Sequence, residues 1–196
     1  MIGIIQKVLI DLLHDTGGDE LVANVLSEAG VPVDVTYRID QNYSDDEFNR
    51  LLSASAVITG LSVGELSALY AKAFLDRAKV LFPRFFEMSS SSEEFLMRQA
   101  TIHAVMASGL KTQDERKAVT DKFSAERIRP GFVRVTYRSA NKLKDLYIAL
   151  AHEVAAIYDE KIQVQCDETG ENEYCFELKW QAPFGLKPSD HLADAS

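Results

Sequence analysis

The hydrophobic pattern of the chain changes near Pro130-Gly131, and this change limits the folds that the sequence can adopt. Before this point, helix-start signals and helical spacing of apolar residues dominate. After it, residues 132–138 alternate between apolar and polar side chains, as a strand with one buried face does. The pattern predicts the α+β class, with a helical N-terminal half packed on a small antiparallel sheet that has covering helices.

Capping boxes mark three helix starts in the first half, because a serine side chain can accept a hydrogen bond from the backbone N–H three residues later. The pairs are Ser44 with Glu47, Ser62 with Glu65, and Ser90 or Ser91 with Glu93 or Glu94. The resulting helices are expected over about 44–60, 62–80 and 90–109. Two earlier helices are predicted at about 3–14 and 19–29, separated by Thr16-Gly17-Gly18.

The second half is predicted to contain three strands and one long helix. The strands are residues 132–138, 161–166 and 173–180, and the helix covers about 141–158 with apolar residues on one face. Gly170, between the last two strands, favours a hairpin. The residues 182–196 are interpreted as a tail that follows a single domain over 1–181.

The two cysteines are expected to point to opposite faces of that hairpin. Cys166 alternates with the apolar residues of its strand, whereas Cys175 alternates with Glu177 and Lys179. If the apolar faces match, Cys166 lies opposite Tyr174 or Phe176 rather than opposite Cys175. We therefore predict neither a disulfide nor a two-cysteine metal site.

Composition and motifs narrow the classes of function. A chain of 196 residues that is 46% hydrophobic can bury a large core, and its net charge of −9 disfavours nucleic acid or an anionic membrane as the main partner. Its apolar runs are shorter than the roughly 20 residues that cross a bilayer, and the N-terminus lacks signal-peptide features. We expect a cytoplasmic protein without membrane insertion. The absence of a glycine-rich phosphate loop, an HExxH motif and a GxSxG motif argues against an enzyme.

His103 is the histidine whose surroundings suggest chemistry. It falls in the middle of an apolar predicted helix, with Gln99, Ile102 and Met106 at helical spacing. A single imidazole from an apolar helix is what a five-coordinate haem iron requires. A hydrogen-bonded core histidine would show the same pattern, so the spacing alone leaves both interpretations open.

Five segments, in this order, carry a resemblance to a known family. They are Met1-Ile2-Gly3-Ile4-Ile5, Leu81-Phe82-Pro83-Arg84-Phe85-Phe86, Ile102-His103-Ala104-Val105, Tyr137-Arg138-Ser139-Ala140-Asn141, and the final hairpin from Lys161 to Trp180. Over about residues 1–181 the chain resembles the bacterial stand-alone haem nitric-oxide/oxygen-binding (H-NOX) domains. The resemblance implies a distal helical subdomain at about 1–60 and a proximal subdomain of helices and sheet at about 61–181.

The resemblance also implies a cofactor, haem b (iron protoporphyrin IX), with His103 as the iron ligand. Tyr137 and Ser139 would donate hydrogen bonds to the haem propionates, and the family has an arginine at the position of Asn141. An amide can donate hydrogen bonds but supplies no charge. Capping of the late helix is the alternative role for Ser139 and Asn141.

The positions that the resemblance assigns to the distal side of the haem are all apolar: Ile5, Leu9, Phe74, Ala78, Leu146 and Leu150. Oxygen-binding members of the family carry a tyrosine at the position of Leu146, and the adjacent Tyr147 is rotated about 100° around the helix. A pocket without a donor implies a ferrous haem that binds nitric oxide and carbon monoxide and excludes oxygen.

Family analogy makes the signalling partner a separate protein, a sensor histidine kinase or a cyclic-di-GMP enzyme. In this reading the chain is a gas sensor. The second hypothesis is a haem-free interaction module of the same fold, or one that binds another apolar ligand.

Overall fold

The computed structural model describes residues 2–39, 41–110, 112–141 and 143–181, and the predicted tail lies outside them. The helices are α1 (Ile4–Glu28), α2 (Asp45–Thr59), α3 (Val63–Leu81), α4 (Pro83–Glu87), α5 (Ser92–Met97), α6 (Gln99–Ala107), α7 (Gln113–Thr120) and α8 (Lys144–Ile157). The strands are β1 (Phe123–Arg129), β2 (Phe132–Arg138), β3 (Ile162–Gly170) and β4 (Glu173–Trp180). This arrangement confirms the predicted α+β class.

The serine caps begin the helices at the predicted positions. Ser44 accepts a hydrogen bond from the Glu47 backbone N–H before α2, and Ser62 and Glu65 form a complete capping box before α3. Ser91 accepts from the Glu94 N–H before α5. The signal is local, because it needs only a side chain and a backbone group three residues apart.

The helices differ from the prediction where long-range packing decides their shape. Gly17 and Gly18 break the helical backbone as expected, but α1 continues on both sides of the kink. The predicted helix over 90–109 is divided into α5 and α6 at Arg98, whose side chain donates to Ser89 Oγ at 2.9 Å. No glycine or proline marks this division, so the sequence predicted one helix there.

The sheet is antiparallel in the order β1-β2-β4-β3, and β1 was not predicted. Most of β1 is exposed at the sheet edge, and Glu126, Arg127 and Arg129 hide the alternation that would indicate a strand. β3 extends to Gly170, four residues beyond the predicted end, with an irregular register near its turn.

The hairpin has the predicted register. Cys166 lies opposite Phe176, and Cys175 lies opposite Asp167. Both cysteines are free in the described part of the chain. Matching of the apolar faces therefore sets the strand pairing, as expected.

Two clusters of buried hydrophobic residues meet along α8. One is formed mainly by α1, α2 and α3 and includes Leu146, and the other is formed mainly by the sheet and includes Tyr147. Two successive residues of one helix thus contact different clusters, which places α8 at the boundary between them. Within the described residues, no single helix has the length and apolar character to cross a bilayer. Helices α2 and α3 have that length and composition only when they are counted together, and the pair is bent by 113°.

Candidate functional site

A largely apolar cavity of about 230 Å³ lies at the boundary between the two hydrophobic clusters. Side chains from α1, α3 and α8 line it, together with others from α5, α6 and the first two strands. The polar or charged residues in its wall are Gln99, His103, Lys122, Tyr137, Asn141 and Tyr147. A pocket with apolar walls and a few polar groups is the usual form of a cofactor or ligand site.

His103 contributes a neutral imidazole to this wall. Its Nδ1 atom is fully buried and has no hydrogen-bond partner among the described residues. Burial lowers the pKa of His103 to about 4, and the nearby charge of Lys122 lowers it further in the same direction. The ring is therefore uncharged at neutral pH, which is the form that binds a metal.

The Nδ1 atom needs an explanation because a buried polar atom without a partner costs about 1–3 kcal/mol. Only Phe123 makes a ring contact with His103 among the described aromatic pairs, with 4.6 Å between the ring centroids and an edge-to-face angle of 69°. An ordinary core histidine would be hydrogen-bonded. The surroundings of His103 therefore do not match the hydrogen-bonded core interpretation.

Most of the predicted distal residues line the cavity. These are Ile5, Phe74, Ala78, Leu146 and Leu150. Leu9 does not line it; its side chain is fully buried in the helical cluster instead. The resemblance assigned Leu9 to the distal side of the haem, but in this chain its side chain packs into the core beside the cavity.

The three residues that the resemblance assigns to the haem propionates differ in their positions relative to the cavity. Tyr137 and Asn141 line the cavity, whereas Ser139 does not. Ser139 lies behind them: its Oγ accepts from the Asn141 N–H at 3.3 Å, and its hydroxyl hydrogen-bonds Tyr137. Burial raises the pKa of Tyr137 to about 12, so its hydroxyl keeps its proton. The N-cap of α8 is Leu143 and no side chain caps it, so the capping interpretation for this helix is wrong.

Asp45 connects Asn141 to a lysine that the sequence did not single out. Asn141 Nδ2 donates to Asp45 Oδ2 at 2.7 Å, and Lys122 Nζ lies 2.8 Å from the same oxygen. Burial alone would raise the pKa of Asp45, but the hydrogen bonds from Lys122 and Asn141 and the charge of Lys122 lower it to about 2. Asp45 is separated from Lys122 by 77 positions, so no local pattern could indicate the pair.

The tyrosine hydroxyls around the cavity already have partners. Tyr147 donates to Gln99 Oε1 at 3.3 Å, which directs it toward α6. Tyr70, buried behind Phe74, donates to the Ile5 carbonyl at 2.9 Å. These contacts leave hydrocarbon side chains at Ile5, Phe74 and Leu146.

A family model described as haem-NO-binding (HNOB) matches residues 2–166. The chain belongs to the haem-NO-binding family. The resemblance inferred from the five sequence segments is thereby confirmed, and the chain has the haem-binding gas-sensor fold of H-NOX domains. A comparison with curated proteins gives no significant match.

Solved H-NOX structures share the fold at low sequence identity. One is described as an oxygen-binding H-NOX domain related to soluble guanylate cyclases, in its oxygen complex; it is 22% identical, with a TM-score of 0.73, and the match covers 96% of this chain and 100% of that one. The I5F mutant of T. Tengcongensis H-NOX is 21% identical, with a TM-score of 0.75 and coverages of 94% and 100%. An Fe(II) unliganded A71G mutant from K. algicida is 18% identical, with a TM-score of 0.76 and coverages of 94% and 98%.

The residues of the cavity fit the cofactor of this family. Haem needs a neutral nitrogen ligand, apolar surfaces for the macrocycle and polar groups for its two carboxylates. The orphaned imidazole of His103 meets the first need and the hydrocarbon walls meet the second. Tyr137, Asn141 and Lys122 meet the third.

Proposed function

We propose that the chain binds haem b in this cavity through His103 and senses nitric oxide and carbon monoxide while excluding oxygen. The observation that carries the proposal is the buried, neutral imidazole of His103 in the wall of an apolar cavity. Its Nδ1 atom has no hydrogen-bond partner among the residues that the structure describes. In this proposal His103 would bind iron through Nε2, as the family resemblance implies. Ferrous haem would supply the coordination position at which a diatomic gas binds.

The proposed gas preference follows from the chemistry of the distal wall. Bound oxygen carries partial negative charge and is stabilised by a hydrogen-bond donor, whereas nitric oxide and carbon monoxide depend on one much less. Ile5, Phe74 and Leu146 offer no donor, and the hydroxyl of Tyr70 is occupied by a backbone carbonyl. The fold does not decide this preference, since a structure with the same fold is described as an oxygen complex.

Signalling would begin at α6, the helix of nine residues that carries His103. In the proposal, His103 would hold the haem iron, and a gas bound at that iron would alter the hold on His103, so that α6 could change its position against β1. A partner that distinguishes the two positions would read the change. We propose as that partner a sensor histidine kinase or a cyclic-di-GMP enzyme, and as the moving units a distal part (1–60) and a proximal part (61–181).

Absorption spectroscopy of the reduced, haem-reconstituted protein tests the proposal. We expect a Soret band that shifts with nitric oxide and with carbon monoxide but not with oxygen. His103→Ala should alter the ferrous spectrum, whereas His152→Ala, on the exposed side of α8, should leave it unchanged. A protein without a Soret band, or an H103A spectrum identical to that of the wild type, would contradict the assignment.

A haem-free interaction module is the second candidate, and one observation favours it. The amide of Asn141, which the resemblance assigns to the propionates, donates instead to the negatively charged carboxylate of Asp45. A colourless preparation that still binds its partner after reconstitution would support this candidate over the sensor.

A further inference from the structure

The cavity has one cationic side chain in its wall among the residues that the structure describes, and it belongs to Lys122. The lysine side chain is 20% exposed, so it lies at the rim rather than in the open solvent. An apolar cavity with a single cation at its rim favours a ligand that has an apolar body and an anionic arm.

Lys122 is close to the other groups that face the ligand. Its neighbour in the chain, Phe123, lies with its ring centroid 4.6 Å from that of His103 and 4.7 Å from that of Tyr137. Asp45, the partner of Lys122, also binds Asn141. The lysine, the tyrosine and the amide thus form one polar edge of the cavity.

Asn141 cannot provide the charge at this edge. Its side chain is neutral, and its Nδ2 atom already donates to Asp45 at 2.7 Å. Asp45 contributes a negative charge, which would repel a carboxylate that arrives alone. A lysine ammonium has three donors, so it can approach a second carboxylate without abandoning the first.

We propose that Lys122 pairs with a haem propionate and supplies the positive charge that an arginine at position 141 would otherwise supply. In the free protein the ammonium group is balanced by Asp45; in the complex it is shared between Asp45 and the carboxylate of the ligand. The inference rests on the proposed haem-binding function and adds the residue that recognises the acidic arm of the cofactor.

Titration of the apoprotein with haem and with haem dimethyl ester separates charge from shape, because the ester keeps the macrocycle and lacks the carboxylates. We expect Lys122→Met to weaken haem binding about ten- to hundredfold, the range for a hydrogen bond to a charged group. Binding of the ester should change less than about threefold. Lys122→Arg, which keeps the charge, should stay close to the wild type for both ligands.

Lys72→Met is the matched control, because Lys72 is an exposed lysine on α3 paired with Asp76 at 3.0 Å. It should bind both ligands as the wild type does. Equal haem affinity for K122M and wild type would overturn the role of Lys122 and leave the proposed function intact. Equal losses for haem and ester, or an equal loss in K122R, would show a structural rather than an electrostatic role and also overturn it. A wild-type protein that binds neither ligand would instead refute the proposed function.

Discussion

At the scale of single residues, Asp45 is the carboxylate that connects two polar residues of the cavity wall. One of its oxygens accepts hydrogen bonds from both Asn141 and Lys122. These bonds connect the start of α2 to the residues that precede β1 and α8. Charge-assisted hydrogen bonds of this kind are stronger than neutral ones. Loss of this carboxylate should therefore affect the fold as well as the site.

Asp45→Asn should lower the free energy of unfolding at neutral pH by up to about 2 kcal/mol, since one pKa unit corresponds to about 1.36 kcal/mol. The folded-state pKa of Asp45 is depressed from 3.8 to about 2, so its contribution is complete above pH 4. It disappears as the pH falls from about 4 to about 2. Urea unfolding at several pH values would measure this.

Asp76→Asn provides the comparison for that experiment, because Asp76 pairs with Lys72 on the exposed face of α3. Exposed pairs contribute little, so D76N should change stability by less than about 1 kcal/mol. If the difference in the free energy of unfolding between D45N and wild type stays constant from pH 7 to pH 2, the lowered pKa of Asp45 is wrong.

We expect the side chain at position 146 to decide whether a stable oxygen complex forms. Leu146→Tyr would place a hydroxyl in the distal wall, where it could donate to bound oxygen. In the reconstituted, reduced protein, L146Y should show an oxygen spectrum that the wild type lacks. Leu146→Phe adds the same ring without the hydrogen-bond donor, so L146F should form no oxygen complex. A similar oxygen complex in L146F would show that shape, not hydrogen bonding, sets the preference for the gas.

At the scale of helices and strands, features set by neighbouring residues could be predicted from the sequence, whereas features set by distant residues could not. Ser44, Ser62 and Ser91 cap helices because each needs only the backbone three residues ahead. β1 escaped prediction because pairing with β2, rather than its own mostly exposed side chains, makes it a strand. Within the site, the sequence indicated His103 and most of the apolar wall, whereas Lys122 became visible only when the fold brought it to Asp45.

Glu160 ties the start of α5 to the end of β4. Its Oε2 atom accepts from the Ser92 N–H at 3.0 Å, from the Ser92 hydroxyl and from Trp180 Nε1 at 3.2 Å, while Trp180 Nε1 also donates to Ser92 Oγ at 2.7 Å. Glu160→Ala leaves the Ser92 N–H and hydroxyl without this acceptor, whereas Trp180 Nε1 keeps Ser92 Oγ. We expect a loss of about 1–3 kcal/mol in urea unfolding followed by the fluorescence of Trp180.

Two further variants make the test of Glu160 specific. Glu160→Gln keeps an acceptor oxygen and should lose less stability than E160A. Glu168→Ala removes an exposed carboxylate from β3 and should stay within about 0.5 kcal/mol of the wild type. A loss in E168A as large as that in E160A would mean that the hydrogen bonds of Glu160 do not stabilise this junction.

At the scale of the whole molecule, the cavity lies where the helical cluster and the sheet cluster meet. Leu146 and Tyr147 of α8 belong to different clusters, and both line the cavity. A ligand that fills this space contacts both clusters at once, so its binding energy should stabilise the whole fold. If His103 holds the haem as proposed, this placement would allow a change at His103 to reach both clusters.

Haem should therefore raise the melting temperature of the protein. A ligand at 100 times its Kd adds about 2.7 kcal/mol to the stability of the folded state, and in a domain of this size each kcal/mol shifts the Tm by roughly 2–4 °C. We expect a shift of about 5–10 °C in a thermal unfolding experiment with reconstituted wild-type protein. At the same haem concentration, His103→Ala should show a smaller shift because it lacks the iron ligand. A wild-type protein that displays a Soret band but has the Tm of the apoprotein would place haem outside the cavity, since a ligand bound between the two clusters must stabilise the state that forms them.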